Sequence, residues 1–195
     1  GLGEKNNAEW KTIVFDQTSK SFVAPNGSIG FRWGEEGKWN LLPRNAANQQ
    51  EISAELSCLT ARDAVVSVAF PHFALDEARV LYRNVPVRKL RLASGEEVFI
   101  TSVFDLMLAQ HSIDRGLGGA NVASSYEDAQ VPYTPAWAAR VTGVKAADLE
   151  RTGREFADNA AKTQGKSMVI MGAAINHWYH NDMGYRAVMN LLHLC

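Results

Sequence analysis

The stretch from Ser167 to His180, S-M-V-I-M-G-A-A-I-N-H-W-Y-H, decides how the rest of the sequence is interpreted. Met168 to Met171 form an apolar run without polar alternation, which is typical of a strand covered on both faces in a parallel sheet. Gly172 ends the run, and Asn176 to His180 then place five polar or aromatic side chains in succession. Open α/β sheets bind ligands at the carboxyl ends of their strands. The stretch therefore predicts a central strand followed by a loop at the position where such sheets bind ligands.

A helix is predicted directly after this loop, because apolar residues recur there at helical spacing, namely at Met183, Ala187, Val188, Leu191 and Leu192. Asp182 is a candidate cap for it. Free N–H groups at a helix start favour anions, and Gly172 would let a ligand approach the main chain, so a phosphate-bearing ligand is one candidate. The sequence contains neither a Walker loop nor G-x-G-x-x-G. Spacing alone therefore favours the alternative, in which these are packed core and turn residues.

The region before this stretch is predicted to contain a β-hairpin and a capped helix. Val87–Leu92 and Glu97–Thr101 form the two strands, and Gly95 supplies the positive φ of the turn. Ser102-x-x-Asp105 resembles a capping box, and the helix that it opens is expected to end at residues 116–119, which are G-L-G-G.

Two further helices lead into the predicted strand. Thr134 as N-cap with Pro135 at the first position predicts a short helix that closes at Gly143. Ala146–Thr163 is predicted as a second helix that buries one apolar side, and Gly165 then turns the chain. The fold class is therefore α/β, with a right-handed helix-strand-helix layer preceded by a β-rich irregular segment.

Residues 1–86 are predicted to be a β-rich extension or insertion, and residues 87–195 the α/β portion. Short strands are expected in the first part at Lys11–Asp16, Ser21–Ala24, Glu51–Thr60 and Val65–Phe70, with Pro71 ending the last. Trp33 and Trp39 lie among glycines and charges, where they would form either an aromatic contact surface or, the interpretation we favour, a small satellite core.

Composition excludes some classes of partner. Twenty basic and twenty-one acidic residues among 195 give a net charge of −1, so we expect no nucleic-acid partner. No apolar run approaches the roughly 20 residues of a membrane span, so direct membrane insertion is not expected. Cys58 and Cys195 lie far apart and are expected to be free thiols, which excludes an iron–sulfur cluster built from this chain alone. His177 and His180 leave a zinc site open as an alternative, although no third ligand is evident.

Two segments carry a family resemblance. Met171–Leu192 (M-G-A-A-I-N-H-W-Y-H-N-D-M-G-Y-R-A-V-M-N-L-L) and Tyr133–Val144 (Y-T-P-A-W-A-A-R-V-T-G-V) closely resemble the catalytic alpha subunit of membrane-bound respiratory nitrate reductases. These belong to the oxidoreductases that hold molybdenum between two molybdopterin guanine dinucleotides. The resemblance is strongest over residues 87–195. Such subunits are several times longer, so it implies an internal fragment of the molybdopterin cofactor-binding region.

The resemblance implies a role in cofactor binding, with no catalytic residue and no metal ligand in this chain. Gly172 would allow close approach of the backbone, Asn176 and His177 would bond the pterin or pyrophosphate, and Tyr179 and His180 would orient that pair. The aspartate that ligates molybdenum and the 4Fe-4S cluster motif would lie outside this chain. The fragment alone would be inactive.

In the whole protein the resemblance implies reduction of nitrate to nitrite with quinol-derived electrons. The implied partners are an iron–sulfur beta subunit and a membrane quinol-oxidising gamma subunit, which would hold the protein peripherally at the cytoplasmic face of the cell membrane. Two alternatives stay open: another molybdopterin oxidoreductase of the same branch, acting on another oxyanion or a hydrocarbon, and a stand-alone α/β ligand-binding module.

Overall fold

The computed structural model describes residues 13–25, 43–73, 78–179 and 181–195. The chain divides into two compact units, Gly1–Val122 and Ala123–Cys195. In chain order, the elements of the described residues are β1 (Val14–Asp16), β2 (Ser21–Val23), β3 (Ala54–Glu55), β4 (Ala64–Phe73), β5 (Ala78–Arg91), β6 (Glu97–Ile100), α1 (Val103–Gln110), α2 (Pro135–Thr142), α3 (Ala146–Thr163), α4 (Ala173–Asn176) and α5 (Asp182–Leu194). Mixed α/β composition is thereby confirmed. No helix of the described ranges is long and apolar enough to cross a bilayer.

The first sheet is small and antiparallel, with β1 between β2 and β3. The Phe15 ring meets Phe22 edge-on at 5.2 Å, and the Arg88 guanidinium lies 4.2 Å from the centre of the same ring. The two strands predicted around the 17–20 turn are confirmed as Val14–Asp16 and Ser21–Val23, each one described residue shorter than predicted. Lys11, and with it the start of the first predicted strand, lies outside the described residues, as do Trp33 and Trp39.

The predicted strand Glu51–Thr60 is wrong for most of its length, because only Ala54–Glu55 is paired as a strand. The reason is visible at Cys58, whose backbone N–H donates to the Asp105 carboxylate at 2.7 Å instead of joining a β-ladder. A side chain 47 positions away thus takes over the bonding that a neighbouring strand would have supplied.

The second sheet is an antiparallel meander of β4, β5 and β6. The predicted hairpin is confirmed, with Gly95 at φ +91°, although β5 begins at Ala78 and is longer than expected. The prediction that Pro71 ends β4 is wrong, since the strand continues to Phe73 and Pro71 pairs with Val80. Among the described strands β4 lies at the sheet edge, where proline is tolerated because the N–H that it lacks can face away from the ladder.

The core of the first unit lies between this sheet and α1, and its buried members are Phe70, Val85, Val87 and Ala109. Ser102 caps α1 by accepting from the Asp105 N–H, as predicted. The helix ends at Gln110, however, and the expectation that it runs to residues 116–119 is wrong. Buried Arg83 donates to the carbonyl oxygens of Ala109 and Gln110 at 3.0 and 2.7 Å, which satisfies the end of the helix at that point.

The second unit begins with two helices that match their predictions. Thr134 caps α2 by accepting from the Trp137 N–H at 3.0 Å, and Gly143 ends it at φ +75°. α3 spans the predicted residues Ala146–Thr163, with Ala160 buried.

The strand predicted at Ser167–Met171 is not formed. These residues pair with no strand in the described part of the chain, and Met168 and Ile170 are 77% and 83% exposed. A strand requires the N–H and C=O groups of a neighbour, and the described residues of the second unit include no other strand. The helix-strand-helix layer is therefore incomplete here. The predicted division into a β-rich extension at residues 1–86 and an α/β portion at residues 87–195 stays a prediction.

Candidate functional site

The chain enters the candidate site through a turn at the end of α3. Gln164 and Gly165 both have positive φ, +57° and +82°, so the helix closes with a left-handed cap. Asn159 then donates from its side-chain amide to Ser167 Oγ at 2.9 Å. This bond ties the start of the 167–171 segment back to the helix that precedes it.

The predicted binding loop contains one short helical turn. Gly172 is the N-cap of α4, Asn176 is its last residue and His177 is its C-cap. Gly172 has an extended backbone that any residue adopts, and nothing lies within 4 Å of the position of a Cβ atom there. The space beside Gly172 is therefore open to a ligand, although the fold of this chain does not itself require glycine.

The predicted site residues differ in how far the structure places them. Asn176, His177 and Tyr179 lie on the surface within four consecutive positions, and Tyr179 is 91% exposed. His180 lies outside the described residues. An amide, an imidazole and a phenol are suitable partners for phosphate oxygens and for the polar edge of a pterin. The donor set thus fits one wall of a site for molybdopterin guanine dinucleotide.

Asn181 holds the loop to the last helix, and the sequence analysis missed it. Its side-chain amide donates to the carbonyl oxygen of Ile175 at 2.5 Å, and its backbone N–H donates to Trp178 at 3.3 Å. A Cβ atom on Gly184 would collide with Asn181 Oδ1. The prediction of Asp182 as a cap is wrong, because the N-cap of α5 is Asn181, which forms no side-chain cap bond, and Asp182 is the first residue of the helix. The sequence feature that could have indicated this role is the glycine three residues after Asn181.

An apolar groove of about 420 Å³ lies beside the loop, and it is lined by Met171, Ala174, Ile175, Trp178, Asn181, Gly184 and Val188. Trp178 is 75% exposed, so one aromatic surface is accessible next to the polar side chains of the loop. Flat heteroaromatic groups stack on such surfaces. The arrangement can therefore hold a ligand that combines a flat ring system with polar or phosphate groups.

The described residues contain no group of three His, Cys, Asp or Glu side chains placed to hold a metal ion. The zinc alternative needs His180 and so falls outside the structure described. Cys58 and Cys195 are free thiols. Burial raises the pKa of the Cys58 thiol, and the nearby negative charge of Asp105 raises it further, so this thiol is protonated at neutral pH.

A second polar cluster surrounds Asp105, which is 1% exposed. Its carboxylate accepts from Ser57 Oγ at 2.7 Å, from Ser102 Oγ at 2.8 Å and from the Cys58 backbone, and it forms an ion pair with Arg115. Arg115 also donates to Ser57 at 2.6 Å. Because these bonds satisfy the carboxylate within the chain, the cluster has the character of a structural anchor rather than a ligand site.

The comparisons with known proteins agree with the resemblance in the sequence. No model of a known protein family matches the chain. The chain is 48% identical over 203 residues to the respiratory nitrate reductase 1 alpha chain of Escherichia coli (strain K12), a match that covers 100% of the chain. It is 44% identical over 192 residues to the nitrate reductase alpha chain of Bacillus subtilis (strain 168). It is also 30% identical over 104 residues, 53% of its length, to the perchlorate reductase subunit alpha of Dechloromonas aromatica (strain RCB).

These relatives are alpha subunits of oxyanion reductases. Over its whole length the chain is homologous to a segment of nitrate reductase alpha chains, as the sequence resemblance predicted. It spans 16% of the length of the Escherichia coli relative and 15% of the Bacillus relative.

Proposed function

We propose that this chain belongs to the alpha subunit of a molybdenum-dependent respiratory nitrate reductase, which reduces nitrate to nitrite. The observation that carries the proposal is the identity of 48% and 44% with nitrate reductase alpha chains across essentially the whole chain. Reduction of nitrate to nitrite consumes two electrons and two protons and releases water. Those electrons would come from quinol.

The loop after the apolar segment would contribute one wall of the cofactor site. Asn176 and His177 would donate hydrogen bonds to the pterin or pyrophosphate of molybdopterin guanine dinucleotide, with Tyr179 and His180 orienting them. Gly172 would let the ligand approach the main chain. The exposed positions of the three described side chains support this assignment, as does the apolar groove beside them. When bound, the cofactor supplies the two-electron redox chemistry, and the protein supplies binding and orientation.

The remaining parts of the enzyme would lie outside this chain. We place the molybdenum-ligating aspartate and the 4Fe-4S cluster in other regions of the alpha polypeptide. An iron–sulfur beta subunit and a membrane gamma subunit that oxidises quinol would complete the complex at the cytoplasmic face of the membrane. We therefore expect the 195 residues alone to have no nitrate reductase activity.

The loop assignment is tested in the full-length protein with Asn176→Ala and His177→Ala. Each substitution removes a hydrogen-bond donor from the proposed wall, so bound molybdenum per polypeptide should fall. His193→Ala is the matched control, because His193 is an exposed histidine in the last turn of α5. Full molybdenum content in both loop variants would contradict the assignment.

Perchlorate reduction is the second candidate activity, and the 30% identity with a perchlorate reductase subunit supports it. Comparing kcat/KM for nitrate and perchlorate in the purified native complex separates the two. We expect a higher value for nitrate, and a higher value for perchlorate would replace the proposal. The length of the native product tests the stand-alone module, since a native product of about the length of this chain would favour it.

A further inference from the structure

We infer that one face of the β4–β5 hairpin packs against another part of the complete polypeptide, outside residues 1–195, through a surface that is apolar and carries no charge. The exposed residues of this face, hereafter the outer patch, are Val65, Ser67, Ala69, Pro71, Val80 and Tyr82. The inference rests on the chain being a segment of a longer polypeptide, and it does not depend on which oxyanion that polypeptide reduces.

The strand register brings the apolar side chains of the outer patch together. Ala69 lies opposite Tyr82, and Pro71 lies opposite Val80. Because residues two apart in a strand point to the same side of a sheet, these four side chains are neighbours on one face, while Phe70 points to the other face and the core. Val80 and Tyr82 are 54% and 56% exposed. The face opposite the core is therefore apolar at this end of the hairpin, and the described residues leave it uncovered.

The composition of this face is that of a covered surface. No charged residue occurs at its outward positions, which are 65, 67, 69 and 71 of β4 and 80, 82, 84 and 86 of β5. A sheet with one wet face normally has apolar residues on the core side and polar residues on the other side. Here the side away from the core is mainly apolar as well, so we expect it to be covered by protein in the complete polypeptide.

The same face of β5 is already a packing surface further along the strand. Pro86 is fully buried, the Arg88 guanidinium lies 4.2 Å from the centre of the Phe15 ring, and Arg88 Nη1 lies 3.1 Å from Glu55 Oε2. Residues 80, 82, 84, 86 and 88 alternate along one unbroken strand, so they belong to one face. β1 and β3 thus cover the end of this face near Arg88, and the outer patch is its continuation without a cover among the described residues.

The lack of charge on the outer patch determines the chemistry of its partner. A charged group brought against this face would lose hydration without gaining an opposite charge from the face, which costs free energy. Apolar side chains gain free energy when they cover such a face. The Tyr82 hydroxyl can form a hydrogen bond with a neutral polar group. The partner surface is therefore apolar and uncharged, with neutral polar groups confined to the neighbourhood of Tyr82.

The size of the outer patch favours a partner on the same polypeptide. Stable interfaces between separate chains involve about 20–30 residues on each side, and six exposed residues fall well short of that number. Two parts of one chain are held at a high effective concentration, so a small contact between them persists. Residues outside this chain are numerous enough to supply the partner, because the chain corresponds to only 16% of the Escherichia coli alpha chain.

Photocrosslinking from position 82 of the full-length native protein tests both the packing and the source of the partner. Tyr82 is replaced by the photoreactive amino acid p-benzoylphenylalanine, and crosslinked peptides are identified by mass spectrometry. We expect crosslinks to a stretch of the same polypeptide outside residues 1–195. The matched control carries the same probe at Lys89, which is exposed on the opposite face of β5 and should not crosslink to that stretch.

Three results at position 82 would overturn the inference: crosslinks only within residues 1–195, crosslinks only to a different subunit, and no crosslink at all. Crosslinks from position 89 to the same stretch would also overturn it, because the contact would then not belong to the outer face. Each result holds whether or not the protein reduces nitrate.

Hydroxyl-radical footprinting of the unsubstituted full-length protein measures the cover directly. We expect Tyr82 to lose most of its reactivity relative to a tyrosine in an unstructured reference peptide, although more than half of its side chain is exposed in this chain. Reactivity in proportion to that exposure would contradict a cover over the outer patch.

A charge placed in the outer patch should destabilise the complete protein. Val80→Asp in the full-length protein is expected to lower the midpoint of thermal unfolding by several degrees, because its carboxylate would be buried against an apolar partner. Val80→Thr keeps a β-branched side chain without charge and is the control. Equal midpoints for the two variants would contradict packing at this face. If Val80→Asp yields no folded protein, footprinting of the unsubstituted protein still decides.

Discussion

The side-chain amide of Asn181 donates to the carbonyl oxygen of Ile175, and this bond fixes the candidate cofactor loop against the start of α5. The arrangement depends on Gly184, because a Cβ atom at that position would collide with the Asn181 side chain. The two polar residues proposed to contact the cofactor, Asn176 and His177, lie directly between these anchor points.

Gly184→Ala should therefore displace Asn181 and release the carbonyl of Ile175. Loss of one hydrogen bond costs about 0.5–1.5 kcal/mol, and we expect a lower unfolding midpoint together with less bound molybdenum in the full-length protein. Gly153→Ala is the matched control. Gly153 lies within α3 with nothing near its Cβ position, so alanine there should stabilise by up to about 1 kcal/mol. Equal unfolding midpoints and equal molybdenum contents in the two variants would contradict the role of Asn181.

Asp105→Ala should be among the most destabilising single changes in the first unit. It leaves Arg115, whose side chain is 11% exposed, without its carboxylate partner, and breaking such a buried pair costs about 3–5 kcal/mol. Thermal unfolding of the full-length protein measures the effect. Glu155→Ala removes an exposed partner of Arg151 and should change stability by no more than about 0.5 kcal/mol. A comparably small effect at Asp105 would show that the cluster contributes little.

The same carboxylate predicts how stability responds to acid. Burial by itself raises the pKa of Asp105, but hydrogen bonds from Ser57, Arg115 and the Cys58 backbone outweigh it and hold the pKa below its ordinary value of 3.8. Because the folded-state pKa is depressed, the stabilisation is complete above about pH 4 and is lost as the pH falls through the folded-state pKa. The pKa of Asp16 is lowered as well, by hydrogen bonds from the side chain and backbone of Ser19.

Unfolding midpoints measured from pH 7 downward in the wild type and in Asp105→Asn test this sign. The difference between the two proteins should be largest near neutral pH and shrink below pH 4. A difference that grows on acidification would contradict a depressed pKa at Asp105.

Gly119→Ala should destabilise the first unit more than Gly116→Ala. Both glycines have positive φ, +97° and +68°, where an L-residue costs about 1–2 kcal/mol. A Cβ atom on residue 119 would in addition lie 2.8 Å from the Asn84 side chain, whereas residue 116 has open space. Asn84 would then lose its 3.0 Å bond to the carbonyl of Leu117. Equal unfolding midpoints for the two variants would show that Asn84 accommodates the methyl group freely.

The features that the sequence predicted correctly are those determined within a few residues. Ser102 and Thr134 cap helices through N–H groups three positions away, and Gly95 and Gly143 supply positive φ at a turn and a helix end. Each of these features depends only on residues that lie close together in the sequence, so the sequence is sufficient to predict it. The position of the candidate loop was likewise marked by a local change, from an apolar run to polar and aromatic residues.

The features that the sequence did not predict depend on distant partners. α1 ends at Gln110, and the group that satisfies its last carbonyl oxygen is Arg83, 27 positions earlier. Residues near Cys58 leave the β-sheet pattern because Asp105 bonds that backbone. The strand predicted at Met168–Met171 is missing for a similar reason. Its apolar pattern is that of a strand with a neighbouring strand beside it, and the described residues of the second unit contain no such neighbour. Asn181 was missed because its partner, Ile175, gives no signal in its side chain.

The central claim is that this chain is part of a molybdenum-dependent nitrate reductase alpha subunit. The most direct test is the molybdenum content of the native polypeptide, immunopurified from its source with an antibody raised to this chain. We expect about one molybdenum per polypeptide, on a product several times longer than this chain, with reduction of nitrate to nitrite in the same fraction. A short native product without molybdenum would contradict it.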